Sequence, residues 1–159
     1  MAEEHGVLLT EDGLAKLVQE MEHLKHVRRP QVAERIRQSK ELASTQNNAE
    51  YDDAKNDQAF VEGRILTLEK LIQDAIIIDE EEAHHASTVQ IGSTVSLSEG
   101  RGKRQQQFTI VGSAEADPKQ GRISNESPVG RALLGKRVGD EVHVQAPKAV
   151  LRFTITKIS

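Results

Sequence analysis

From Tyr51 onward, Tyr51, Ala54, Gln58, Val61, Ile65, Leu68, Ile72 and Ala75 recur at alternating spacings of three and four. That is the seam of a heptad helix, and few folds accept one. An apolar stripe this long has to lie against another of comparable length. The chain supplies the partner just upstream. Leu14, Leu17, Met21 and Leu24 make a first stripe, and Val32, Ile36, Ser39 and Ala43 continue it. Thr10 is placed to cap the first helix, with Glu11 and Asp12 favourable against its N-terminal dipole. Pro30 interrupts the run: it lacks a backbone donor and clashes with the preceding turn, which predicts a kink or restart near Arg29.

Two stripes joined by a few polar residues predict an antiparallel helical hairpin reaching about 40–45 Å at 1.5 Å rise per residue. The faces away from the seam carry Glu20, Lys25, Arg28, Arg35, Arg37, Lys40, Lys55, Glu62, Arg64 and Glu69. One stripe per helix fits a projecting coiled coil better than a pair taken from a larger bundle.

The period changes after "IIIDEEEAHHAST". Asp79 to Glu82 is an acidic run, and Ala83 to Thr88 reads as a loop-like joint. His84 and His85 have no companion ligands there and are read as solvated. Beyond them, "VQIGSTVSLS", "QQFTIVG", "GRISNES", "DEVHVQAP" and "VLRFTITKI" alternate apolar and polar residues between Gly, Pro, Asn and Asp, which predicts an antiparallel sheet. One short helix interrupts it. Ser127 is the N-cap, Pro128 the first residue, "VGRALL" the body and Gly135 the stop. The fold class is α+β, with a hairpin over residues 1–78, a linker over 79–88 and a β domain over 89–159.

Composition narrows the function classes. The chain has 159 residues and a net charge of −4, so binding nucleic acid through overall charge is disfavoured, while a local basic patch remains open. Three Phe, one Tyr and no Trp make a base-stacking platform a poor expectation. No Cys means no disulfide, no thiolate nucleophile and no Cys-based zinc site. No apolar run approaches the roughly 20 residues that span a bilayer, and "MAEEHGVLLT" lacks a signal-peptide pattern, so a cytoplasmic location without membrane association is expected. There is no phosphate-binding glycine loop and no nucleophile elbow. "GRGK" at Gly100 to Lys103 reads as a basic hairpin turn. These residues describe no stand-alone enzyme; they describe a stalk with a distinctive tip on a β domain.

Those pieces, in that order, resemble the bacterial transcript-cleavage factors of the GreA/GreB family, and the GreA branch more closely. "LTEDGLAKLVQEMEHLKHVRRPQVAERI" resembles the family's first-helix signature and "NAEYDDAKNDQAFVEGRI" its second. "IGSTVSL", "IVGSAEADPKQGRIS" and "SPVGRALLGKRVGDEVHV" resemble its C-terminal signatures. The resemblance implies an FKBP-like C-terminal domain that docks on RNA polymerase, with Asp117, Pro118, Ser127 and Pro128 as docking candidates. It implies a coiled coil that enters the polymerase's secondary channel and meets the nascent RNA 3′ end. No metal is expected on the free chain. Acidic tip residues of the family help hold the second Mg²⁺ of the polymerase active site while the polymerase cleaves backtracked RNA.

At the tip the chain departs from that pattern. Family members that stimulate cleavage carry an Asp and a Glu, three residues apart, before "NAEY". Aligned on that motif, the two positions are Ser44 and Asn47. Both are neutral oxygen donors with a much weaker hold on Mg²⁺. Glu41, Glu50, Asp52 and Asp53 are the nearby acids available as substitutes. The last three are also explained as acids at a helix N-terminus. Asn48 reads as the N-cap of the second helix, and Tyr51 as packing on the hairpin's end. Among the basic residues, Lys40, Lys55 and Arg37 are candidates to face RNA or the channel. The competing reading makes the hairpin's cations partners of Glu34, Glu41 and Glu62.

Three functions fit these residues: a cleavage factor with a weakened tip, a non-cleaving channel regulator, and a normal factor whose tip acids have been replaced. A chaperone-like coiled-coil module, the runner-up class without the resemblance, fits poorly with a polar tip.

Overall fold

The computed structural model describes residues 6–42, 49–100 and 104–159. They group into two compact units, one formed by residues up to Gly13 and from Ala75 on, the other by Leu14–Asp74. The first domain boundary expected after residue 78 falls instead at Asp74, because the short strands that flank the hairpin pair with each other. β1 (Val7–Leu9) lies parallel to β2 (Ala75–Ile77), with Val7 opposite Ala75 and Leu9 opposite Ile77. A donor from Ile78 to the Leu9 carbonyl at 2.8 Å extends the pairing, and Leu9 is fully buried.

The helical unit forms from the seams. α1 (Glu11–His23) starts on Thr10, whose hydroxyl accepts from the Gly13 amide at 3.0 Å, the capping bond expected of it. α2 is Arg29–Leu42 and α3 is Ala49–Gln73. The interruption expected near Arg29 is a π turn over Leu24–Arg28 rather than a break. The Arg29 amide reaches back five residues to the Leu24 carbonyl, and His23 and Arg29 keep right-handed helical angles. Widening the turn just before Pro30 accommodates a ring that cannot donate and that would crowd the carbonyl four residues back. Val32 and Ile36 of α2 bury against Ala54, Val61 and Ile65 of α3, with Leu24 and Tyr51 packed on the cluster. Leu68 is fully buried further along the same seam. The opposite side of α3 is not wholly charged: Phe60 is 75% exposed and Leu66 66%, on either side of Gly63.

The acidic run after β2 is the start of a helix. The Asp79 carboxylate accepts from the Glu82 amide at 3.0 Å, capping α4 (Glu80–His85). The loop expected from Ala83 is therefore helical through His85, and Ala83 is fully buried. His84 and His85 lie in its last turn, exposed, where a positive charge suits the C-terminal dipole.

The five expected strands all form: β3 (Thr94–Glu99), β4 (Arg104–Val111), β5 (Arg122–Ser124), β6 (Glu141–Gln145) and β7 (Val150–Ile158). Their order across the sheet is β5-β4-β3-β7-β6. The expectation of a purely antiparallel sheet needs correction. β3, β4, β6 and β7 pair antiparallel, whereas β5 runs parallel to β4, with Thr109 opposite Arg122. Residues 112–121 between them, with two 3-10 turns at Ser113–Glu115 and Pro118–Gln120, make a crossover that brings the chain back in the same direction. Alternation sorts Val95 and Leu97, Val142 and Val144, and Phe153 and Ile155 onto one face, where Ile110 and Leu133 complete the core.

α5 (Pro128–Leu133) begins as its sequence dictates. The Ser127 hydroxyl accepts from the Gly130 amide at 3.0 Å, and Pro128 occupies the first turn, where no donor is needed. Gly135 stops it at φ +78°, with its amide on the Val89 carbonyl. Replacing Ser127 by Ala should cost about 1 kcal/mol, read as a lower urea midpoint at unchanged slope.

Candidate functional site at the hairpin end

The hairpin end is built by the last turns of α2 and the first turns of α3. Ser44, Asn47 and Asn48 lie outside the described residues. Two features fix their flanks. Tyr51 packs on the hairpin core beside the fully buried Ala54, which matches its expected packing role. Lys40, on the other helix, places its ammonium 5.9 Å from the Tyr51 ring centroid, a cation–π contact between the two helices of the hairpin.

The candidate acids are exposed on both sides of that pair. Glu50 and Asp52 sit in the first turn of α3, and Asp53 beside them is exposed as well. Glu41 accepts from Arg37 at 2.6 Å. Arg37 also engages Glu34 through two nitrogens, at 2.9 and 2.5 Å, so its guanidinium is shared between two carboxylates one turn away on either side. These bonds hold the Glu34 carboxyl below its ordinary value and raise the Arg37 guanidinium. Lys55 donates to Gln58 at 3.1 Å.

Along the rest of the hairpin the cations also pair with acids, most of them other than the Glu34, Glu41 and Glu62 expected as partners. Arg29 forks onto Glu62 at 2.7 and 2.9 Å, Arg35 pairs with Asp57, and Lys25 meets Glu69 at 2.8 Å. The steps from Lys25 to Arg29 to Arg35 run against those from Glu69 to Glu62 to Asp57, as antiparallel helices require. Arg64 donates to both Glu20 oxygens, at 2.7 and 3.0 Å. The hydrogen bond from Arg64 and its charge hold the Glu20 carboxyl below the usual range, against a smaller opposing effect of partial burial. The folded value lies below the unfolded one, so the pair stabilises above about pH 4.5 and the contribution is lost as pH falls through the folded value. Solvent screening keeps it small. Glu20→Gln should cost about 0.5 kcal/mol at neutral pH and nothing near pH 2, read from urea midpoints at the two values.

In the sheet unit the docking candidates hold local structure. Asp117 accepts from the Lys119 amide at 3.2 Å and starts the 3-10 turn in which Pro118 is first. Ser127 caps α5 and donates to the Ser124 carbonyl at 2.6 Å, and Pro128 is exposed beside it. A cleft of about 580 Å³ is lined by Glu11, Asp12, Asp79, Glu80 and Glu81 together with Ile77 and Ile78. Among the described residues no group of three His, Asp or Glu side chains is arranged to hold a metal ion, and no helix is long and apolar enough to cross a membrane.

Sequence reasoning missed Glu115. Its side chain is only 5% exposed. One carboxylate oxygen accepts from the Thr10 amide at 2.6 Å; the other accepts from the Thr10 hydroxyl at 2.6 Å and from Arg122 at 2.8 Å. Glu115 lies in a polar loop segment, "GSAEADPKQGR", and nothing local to that segment points to a residue 105 positions earlier.

Two family models match the chain. The N-terminal domain of the transcription elongation factors matches residues 7–77, and the GreA/GreB C-terminal domain matches residues 83–159. A protein named transcription elongation factor GreA from Thermoanaerobacter pseudethanolicus is 49% identical over 152 residues, 96% of each chain. One of the same name from Bacillus licheniformis is 48% identical over the full length of both. Among solved structures, the GreA factor homolog 1 (Gfh1) of Thermus thermophilus matches at 29% identity over 98% of this chain and 99% of that one, with a TM-score of 0.45.

Proposed function

The chain belongs to the GreA/GreB family of transcription elongation factors, and from that premise we propose that it binds RNA polymerase in the cytoplasm and acts through the secondary channel. The sheet unit docks, with Asp117, Pro118, Ser127 and Pro128 in the docking surface. The hairpin end enters the channel and meets the 3′ end of backtracked RNA, and Lys40 and Lys55 supply positive charge toward the displaced strand. The factor has no catalytic centre of its own; it promotes the polymerase's endonucleolytic cleavage, which restores an extendable 3′ end. The observation that carries this reading is the match of both family domains, in order, over nearly the whole chain.

The donor set at the tip sets the strength of the activity. The polymerase's second Mg²⁺ stabilises the charge that develops on the attacking and leaving oxygens. Ser44 offers a hydroxyl and Asn47 an amide oxygen, which suit a hard cation by atom type and bring no charge. Cleavage is therefore weak. A second reading, a channel regulator that occupies the site without cleaving, rests on the same neutral pair. Stalled, backtracked complexes decide between them. Slow shortening of the RNA on addition of the protein is the expected result. Binding that displaces an active cleavage factor but leaves the RNA intact would replace this reading with the second. Failure to bind polymerase would remove both.

A further inference from the structure

We infer that Glu115 is a positioning residue: within the sheet unit, with Thr10 and Arg122, it fixes the residues that start α1, and the hairpin's action on polymerase depends on that clamp while docking does not. The inference rests on the polymerase reading above.

An ordinary N-cap needs one side-chain oxygen, and Thr10 already provides it to Gly13. The carboxylate is additional to that. It binds the Thr10 backbone amide as well as the hydroxyl, so it grips the chain itself at the first residue before α1. The Thr10 hydroxyl is used in both directions, donating to Glu115 and accepting from Gly13, which locks its rotor. Arg122 balances the nearly buried charge. The sequence leaves room for the carboxylate: a methyl group on Gly13 would stand 2.1 Å from its oxygen.

The placement of Glu115 gives the clamp its consequence. It ends the 3-10 turn Ser113–Glu115, and Asp117, a docking candidate, follows two residues later. Reciprocal backbone bonds between Asp117 and Arg122, at 2.8 and 3.0 Å, return the loop to Arg122, the clamp's own cation. One loop therefore carries a docking candidate and the bonds to Thr10, so a shift of that loop on docking is felt at Thr10 through Glu115.

The test uses the full chain with Glu115→Gln, and with Thr10→Val and Thr10→Ser as the variants without and with the hydroxyl. The chain has no cysteine, so a photocrosslinker attached through Ser44→Cys reports on the tip alone. Expected for Glu115→Gln and Thr10→Val are at least tenfold faster amide exchange at Thr10 and Gly13 with β3, β4 and β7 amides unchanged. Affinity for polymerase should shift less than threefold, and crosslinking to the RNA 3′ end at saturating protein should fall at least tenfold. Thr10→Ser should restore both exchange and crosslinking. Unchanged crosslinking in the variants overturns the inference and leaves the polymerase reading standing. Loss of sheet protection or of affinity in parallel with crosslinking makes Glu115 a plain stability residue and overturns it too. No crosslink from the unaltered clamp overturns the polymerase reading and the inference with it.

Discussion

Restoring the tip acids, Ser44→Asp with Asn47→Glu, should raise cleavage of backtracked RNA by about 100-fold or more over the unaltered chain. At an effective dielectric of about 20, a unit charge about 4 Å from a cation is worth about 4 kcal/mol per unit of cation charge before desolvation. A third to a half of that, retained after desolvation for each carboxylate, is about one to one and a half decades in rate, so the pair gives about two to three. The hydroxyl and amide oxygens now present contribute dipoles and no net charge. Single substitutions should each give part of the gain, and the pair more than their product if both carboxylates hold one ion. The measurement is the rate of RNA shortening in stalled complexes at saturating factor. A double variant that binds polymerase but cleaves no faster would show that the scaffold beneath the tip is not competent. Glu41, tied to Arg37, would then deserve substitution next.

The largest expected loss of stability comes from adding one methyl group at Gly112. Its backbone angles, φ −67° and ψ 157°, suit any residue, so conformation does not demand glycine there. Chain entropy would even favour alanine slightly. Space forbids it: the added carbon would stand 1.8 Å from the Leu8 carbonyl oxygen and 2.8 Å from its carbon. Both are backbone atoms of β1 and have no rotamer to escape into. β1 would have to lift from the loop, straining its pairing with β2 and the burial of Leu9. Gly112→Ala should cost about 3 kcal/mol, the upper end of overpacking penalties. Gly63→Ala should do the reverse. Nothing lies within 4 Å of its added carbon, and alanine is the better helix former by about 1 kcal/mol. Urea midpoints of the two variants should move in opposite directions.

The elements legible in the sequence were those specified by neighbours in the chain. The α3 seam could be read because Ala54, Val61, Ile65 and Leu68 announce their buried face by spacing alone. α5 was legible because Ser127 and Pro128 state its start locally. β1 and β2 were not, at three residues each, because what makes them strands is their pairing across the whole hairpin. The parallel seat of β5 escaped for a similar reason. An isolated "RIS" carries no sign of direction, and the crossover that sets it is a polar loop with two 3-10 turns. The Pro30 disturbance was placed correctly, but its form was not, because proline specifies what the turn before it must give up and leaves open whether the chain breaks or widens. At the hairpin end, local readings placed Tyr51 well. The cation–π seat of Lys40 needed both helices in register.

The bond between Thr10 and Glu115 closes a loop of 105 residues. Loop-closure entropy grows with length, and distant pairings form late. The hairpin can zip from its own end, and the five-stranded sheet can assemble from neighbouring strands. The N-terminal strand has to wait for both. Of the described strands, β1 is therefore the one expected to be placed last. Unfolding should start at the same point, with β1 the first segment to yield to a protease.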